Sequence, residues 1–593
     1  MSRIVHILSK YCEGIDSPGP IMYDITMASL TAKTVKGRTY YYARECKRVD
    51  GKPKIVWQQY LGRADDIIAK CRGPEGWAPP RHAIVADFGA VAALHDLARR
   101  LELVELIDRH VPKRRSGPSV GTYLLVATLN RCVAPCSKAS IGRWFGGTIL
   151  RRLLPVESHQ LTSQRFWDNM DRVSRSAIEG IEGELARRVV QAFELDLGRL
   201  LFDATNFFTF IDTFNERCTL AQRGKGKEGR ALRVVGLALL VTADFHVPLF
   251  HRTYPGNQPD APTFSGLIDD LVRRYRQMAK GTEHITLIFD KGNNSFDNLE
   301  AVGKSPYHFI GSLVPTQHPD LLAIPDSRFH SLAPDGLPSV RAYRTSQKVF
   351  DVERTVLVTY NENLYITQSR TLLREIAKRQ EKLQTLQQHL LRRQRGSVRG
   401  GKPPTTAGVR KQIDTLLAAR HMKDVFKIEI SEKQGLPTLS YRFDQSAWGR
   451  LQRTLLGKTI LFTDNVDWSD AEIVRGYRSQ YHVEGAFRQM KDPDCISIRP
   501  QFHWTDQKIE VHVFCCVLAL LLCSLLQREL RRQGIDHSIH RMLELLNGIQ
   551  EVSVVYPGPG KRPKPTIQTT VSEMSSQQRQ LFDSLNLRQH LSG

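Results

Sequence analysis

Along the chain, the spacing of hydrophobic and polar residues changes period several times, and each change predicts a different element. TYYYARECKRV and PKIVWQQYLG read as two short strands meeting near Asp50-Gly51, a dipeptide that accepts the positive φ of a tight hairpin turn. From about residue 84 the period lengthens to that of helices: AVAALHDLARRLELVELIDRHV, VGTYLLVATLNRCV, ASIGRWF, and SQRFWDNMDRV after the natural cap Thr162-Ser163. From about 198 the pattern becomes strand-like. GRLLFDATNFFTF, LRVVGLALLVTAD and VPLFHRTYPG are joined by short connections and predict an antiparallel meander. A helix from about Pro262 to Met278 follows, then the strand HITLIFD, a short helix after Asn294-Ser295, and the strand YHFIGSLV.

Between 316 and 455 this rhythm is interrupted. RTLLREIAKRQEKLQTLQQHLLRRQ carries Ile376, Leu383 and Leu390 at heptad spacing, and VRKQIDTLLAARHMKDVF predicts a second helix. Two strands, KIEIS and LSYRFD, flank the turn-prone QGLP, so the block reads as an inserted subdomain. The core texture resumes with GKTILFTD and with YRSQYHVEGAFRQMK, Tyr477 to Lys491. That stretch scans as one amphipathic helix with Val483, Ala486, Phe487 and Met490 on its apolar stripe and Glu484 beside it. The expected class is mixed α/β: a basic β element (1–80), a helical region (81–195), a strand-rich core in two parts (196–315 and 456–530) around the insertion (316–455), and a C-terminal tail (531–593).

Charge narrows the partners. Lys and Arg number 84 against 61 Asp and Glu, a formal charge of +23, which favours a polyanion: nucleic acid first, an anionic membrane surface second. Val513 to Leu526, VFCCVLALLLCSLL, falls short of the ~20 residues of a spanning helix and reads as a buried core helix. The N-terminal MSRIVHILSKYCEG lacks a secretory apolar core, so the expected location is the cytoplasm. Ten cysteines in 593 residues make no disulfide framework, and Cys132 and Cys136 lack a second pair at zinc-ligand spacing. The short helices of 81–195, with Arg and Lys between them, suit a DNA-docking module and also a plain helical bundle.

Chemistry concentrates in three carboxylates. Asp203 sits inside LLFDATNFF among apolar neighbours, where a charge is costly unless a cation or hydrogen bonds compensate it. Asp290 closes HITLIFD and emerges at the carboxyl edge of the sheet, where ligands gather, although an Asx turn or a helix cap would also place it there. Two-metal phosphoryl transfer needs such carboxylates on rigid elements.

These elements, with DATNFF, YPGNQPD (Tyr254–Asp260), FDKGNNS (Phe289–Ser295) and the N-terminal YYARECKRVDGKPKIVWQQYLG, resemble DDE transposases, over a span from about residue 35 to beyond 525. The likeness is to the insertion-sequence transposases of the IS-four group and, within it, the branch labelled sixteen-thirty-four. That group carries a Tyr-Arg-Glu-Lys signature, and Tyr477, Glu484 and Lys491 fall at its offsets. Gln480 stands where the pattern has Arg, which leaves Arg478 and Arg488 as neighbouring guanidiniums for a phosphate contact.

The resemblance implies an RNase H-like catalytic domain and two Mg²⁺ ions, replaceable by Mn²⁺, on Asp203, Asp290 and Glu484. It also implies phosphate contacts from Tyr477 and Lys491, and double-stranded DNA (terminal inverted repeats and target) as partner, met by a homodimer in a synaptic complex. The competing expectation is a catalytically inactive or repurposed DNA-binding relative, whose signature would be the loss of a carboxylate. Asp260 reads as a helix cap, Asp212 and Asp244 as turn or surface groups, His482 as a neighbour of the site rather than a ligand, and Trp448 as packing.

Overall fold

The computed structural model describes residues 29–49, 52–72, 80–112, 117–212, 214–225, 231–258, 260–278, 284–398, 400–499, 501–557 and 565–591. They form two units: one runs to Ile84 and includes Val552–Thr570, and the other holds Val85–Glu551 and the chain from Val571 onward. The first contains the antiparallel sheet β1 (Ser29–Val35), β2 (Arg38–Val49) and β3 (Lys52–Gly62). The expected hairpin is β2–β3, and its Asp50-Gly51 turn lies outside the described residues. A fourth strand, β4 (His82–Asp87), comes next in the chain.

The second unit opens with helices, including Gly89–Arg100, Leu103–His110, Val120–Val133, Ser163–Met170 and Arg175–Phe193. The single helix expected from Ala90 to Val111 is in fact two. Leu101 and Leu103 are both buried, and on one continuous helix residues two apart point nearly opposite ways. The chain instead breaks at Glu102, with φ of 49°, so that both face the core. Thr162 caps its helix as expected, accepting from the Arg165 amide at 3.3 Å. The apolar stretch after Val513 belongs to the helix Asp506–Arg532, among the described residues the one helix long and apolar enough to cross a membrane. It is buried within the protein, against Val120–Val133, Gly89–Arg100 and Arg175–Phe193.

The centre is a ten-stranded sheet. Its strands are β5 (Arg199–Phe208), β6 (Gln222–Lys225), β7 (Ala231–Thr242), β8 (Pro248–Pro255), β9 (Ile285–Ile288), β10 (Tyr307–Leu313), β11 (His330–Ser331), β12 (Val340–Val349), β13 (Val352–Asn361) and β16 (Lys458–Thr463). Reading across, β8 pairs with β7 and β7 with β5, both antiparallel. Then β5, β9 and β10 run parallel, and antiparallel β16, β13, β12 and β11 complete the sheet. The expected order of three strands, helix, strand, helix, strand is therefore present, with β6 as an addition at the β7 edge.

The block 316–455 divides. β12 and β13 continue the central sheet through β16, so the separately cored piece begins with the helix Glu362–Gln394. Ile376, Leu383 and Leu390 of that helix pack with Val409, Ile413 and Met422, beneath the hairpin β14 (Phe426–Lys433) and β15 (Leu436–Phe443). Heptad spacing here marks a packing face.

Candidate active site

Register brings the two aspartates together. Strand β5 pairs with β9 as Leu200 with Leu287 and Leu201 with Ile288, and continuing that register two residues brings Asp290 level with Asp203. Asp203 is half-buried, with Oδ1 accepting from the Ala204 amide at 2.8 Å. Asp290 stands just past β9, before the short turn Lys291–Asn293, and its carboxylate makes no capping hydrogen bond there. Ser295 does the capping for the helix Phe296–Gly303, accepting from the Asn298 amide at 3.1 Å. Asp290 is thus not used as a cap, and it lines the cavity described next.

The segment Tyr477–Lys491, expected as one helix, is two. Asp470–Arg478 ends at Ser479, and Tyr481–Met490 begins after Gln480. Ser479 Oγ donates to the Gly476 carbonyl at 2.6 Å, and His482 and Val483 bond back only three residues, to the Ser479 and Gln480 carbonyls. A serine hydroxyl competing for a helix carbonyl tightens the turn in this way. At Gly476 a Cβ would lie 2.7 Å from Ile310 Cδ1, a side-chain tip that would have to shift, so the glycine lets this helix press closely on the sheet. Beyond the break, Val483, Ala486, Phe487 and Met490 are buried, as the apolar stripe predicts, and they lay the second helix across β5 and β7.

The result is one cavity of about 330 Å³ lined by Asp203, Asp290 and Glu484, together with Gln480, Arg488 and Lys491. Lys491 follows the helix, and its Nζ donates to Thr205 Oγ1 at 2.9 Å, two residues along β5 from Asp203 on the same face. Tyr477 lies on the preceding helix rather than two turns from Glu484 on a shared one. It lines a neighbouring cavity of about 460 Å³ with Lys291, Ser312 and Arg420, and its hydroxyl donates to Ser312 Oγ at 2.7 Å. Burial above all, helped by the Asp290 and Glu484 charges and opposed by the Ser312 hydrogen bond, pushes the phenol up to about 12. Tyr477 therefore remains a proton donor at the edge of the carboxylate site.

Arg478 is not part of this constellation. It lines a separate cavity of about 300 Å³ with Arg199, Arg475 and His482, so of the two guanidiniums near Gln480 only Arg488 reaches the carboxylates. Asp212 accepts from the Phe214 amide at 3.1 Å in a local turn, and Asp244 lies 3.5 Å from Arg528. The helix expected near Asp260 begins on that residue. Thr205 and Ser312, which hold Lys491 and Tyr477, were not singled out from sequence. Thr205 had a signal in the two-residue period of β5, whereas Ser312 had none.

No protein-family model matches the chain, and no curated protein does. Among solved structures, a synaptic complex of the piggyBac transposase with hairpin DNA aligns over 78% of this chain and 80% of that one. The TM-score is 0.34 at 8% identity, a likeness too slight to define the fold.

Neither His nor Cys lines the cavity, and its anionic donors are carboxylates, the hard oxygen ligands that Mg²⁺ and Mn²⁺ prefer. Among the described residues no three His, Cys, Asp or Glu side chains come together as a ready-made cage. Mg²⁺ does not need one, since it is held by one or two carboxylates and completes its shell with water and substrate phosphate. The residues fit an ion that binds together with a phosphodiester.

Proposed function

We propose that the protein is a DDE-type transposase of an insertion sequence, which cuts DNA at the terminal inverted repeats and joins the freed end to target DNA. The observation that carries this reading is the gathering of Asp203, Asp290 and Glu484, from strand β5, the turn after β9 and a distant helix, around one cavity that also holds Lys491 and Arg488. The strand order β8-β7-β5-β9-β10, antiparallel then parallel, supports an RNase H-like core for it.

Asp203, Asp290 and Glu484 would hold two divalent ions, which supply an activated water and neutralise charge on the scissile phosphate. The chain's own groups do the rest. Lys491 and Arg488 donate to phosphate oxygens and fix the DNA backbone in register with the carboxylates. Tyr477, kept protonated and bonded to Ser312 Oγ, would offer its hydroxyl to a phosphate oxygen in place of that bond. Val483 and Phe487, both buried, form an apolar wall behind Glu484 that limits water on that side. Hydrolysis at the element's end leaves a 3′-OH, and that hydroxyl attacks a target phosphodiester in the joining step. The helical region between β4 and β5 would read the terminal repeats, chiefly through phosphates, with the protein acting as a dimer across two ends in a nucleoid-associated pool.

The test is a labelled DNA end carrying the element's own terminus, incubated with protein and Mg²⁺, with wild type compared against Asp203→Ala, Asp290→Ala and Glu484→Ala. Wild type should nick and join the end, and each variant should bind it without cutting. Cutting by all three variants would sink the site assignment. Binding without cutting by wild type itself would assign an inactive DNA-binding relative instead.

A further inference from the structure

Two imidazoles meet at the end of β9 remote from Asp290. His284 precedes that strand and His308 lies on β10 opposite Thr286, so the two-residue period puts both histidines on one face of the sheet. His284 Nδ1 and His308 Nε2 are 3.2 Å apart, and their ring centroids are separated by 5.3 Å. Two imidazoles on one tetrahedral ion, with nitrogen–metal bonds of ~2.05 Å, would show separations of about 3.3 and 5.2 Å. Behind them stands Asp464, just past β16. Its Oδ1 accepts from the Phe309 amide at 2.8 Å, which leaves Oδ2 3.3 Å from His308 Nδ1.

A carboxylate at one nitrogen of a histidine selects the tautomer whose other nitrogen carries the free lone pair, the arrangement that stands behind metal-bound imidazoles. That lone pair, on His308 Nε2, accepts a hydrogen from His284 Nδ1 when no ion is bound. With the His284 hydrogen on Nε2 instead, both facing nitrogens present lone pairs. We propose that His284 and His308 form a two-ligand site for a transition-metal ion that favours imidazole, Zn²⁺ or Cu²⁺ in class, with Asp464 orienting His308 and water completing the shell. The site is separate from the carboxylate cavity. His284 and Asp290 are six residues apart along β9, roughly 20 Å at strand rise, too far to share an ion. The ion ties the chain entering β9 to β10, so it acts on the sheet and not on a phosphate, and the site does not depend on the DNA-cutting reading.

The test is titration of the full chain with Zn²⁺ by calorimetry, without DNA, together with the thermal midpoint with and without Zn²⁺. Wild type should bind, and Zn²⁺ should raise its midpoint. His284→Ala and His308→Ala should each weaken binding at least roughly tenfold and lose the rise, with metal-free midpoints equal to wild type showing that both variants fold. Asp464→Asn keeps an acceptor for the Phe309 amide and should weaken binding roughly tenfold to a hundredfold, the loss typical of a carboxylate behind a metal-bound histidine. Asp203→Ala should bind as wild type does. Unchanged affinity in both histidine variants overturns the proposal, and so does wild-type affinity in Asp464→Asn, which would leave only two neighbouring surface imidazoles. Loss of binding in Asp203→Ala would also overturn it, by moving the ion to the carboxylate cavity. Failure of the end-cutting assay leaves every one of these outcomes readable.

Discussion

Replacing Glu182 should cost more stability than any other single change outside the hydrophobic core. It projects from the helix Arg175–Phe193 and is 8% exposed. Its Oε1 accepts from the His251 amide at 2.9 Å and from His251 Nδ1 at 2.6 Å, and its Oε2 accepts from Arg274 Nη2 at 2.7 Å. His251 is on β8 and Arg274 on the helix Asp260–Met278, so one carboxylate joins the helical region to the central sheet. With Arg274 only 4% exposed, Glu182→Ala removes a buried countercharge, for which the expected loss is about 3–5 kcal/mol. The lower end applies, because Arg274 also lies 5.9 Å from the Phe250 ring, and Arg252 nearby has its own carboxylates, Glu179 and Asp270. Glu182→Gln should lose less, about 1–2 kcal/mol, since the amide oxygen still accepts from the His251 amide. Guanidinium denaturation of the three proteins reads this directly, and end-cutting below the unfolding transition should be unchanged for the folded fraction. A loss below about 1 kcal/mol for Glu182→Ala would refute the claim that this buried network couples the two regions.

Two further outcomes follow from the site. Lys491→Met should weaken DNA binding similarly for all sequences and reduce the salt slope by about one phosphate's worth, ~0.9 in log K against log salt, measured by anisotropy across a salt series. For Tyr477 the sign is that of a raised acid: the folded state holds its proton up to about 12 against an ordinary 10, so its contribution is complete below pH ~10 and is lost as pH rises towards 12. Tyr477→Phe should therefore show a shallower fall in denaturation midpoint across that window, and equal slopes in the two proteins would contradict the burial of the phenol.

Much of the central sheet was legible because β5, β7, β8, β9 and β10 are apolar runs closed by turn residues, and a sheet covered on both faces leaves that signature. β12 was not, because VRAYRTSQKV is largely polar and only partly buried, a pattern sequence cannot tell from a loop, whereas β13 does carry a buried apolar run, TVLVTY, but inside the block that reads as an insertion. The three carboxylates could be chosen by position, Asp203 inside an apolar strand, Asp290 at a strand end and Glu484 on an apolar-striped helix. Their convergence could not, since it depends on the pairing of Leu201 with Ile288 and on the break at Ser479. Tyr477 meets Ser312 from the helix before the break, while Arg478, six residues before Glu484, lies on another helical face and lines another cavity, and Arg488, one turn after Glu484, stays with it. A one-turn change in hydrogen bonding has no reliable mark in hydrophobic period. Ser479 supplies its local cause by bonding the Gly476 carbonyl, while the close approach of Gly476 to Ile310 is visible only in the packed structure.

The most direct test of the site is a change of metal preference at one proposed ligand. Asp290→Cys replaces a hard oxygen donor with a softer thiolate, which Mg²⁺ binds poorly and Mn²⁺ tolerates better. The account predicts that this variant cuts the labelled terminal DNA in Mn²⁺ but not in Mg²⁺, while wild type cuts in both. Equal cutting by the variant in the two metals would contradict a metal-holding role for Asp290.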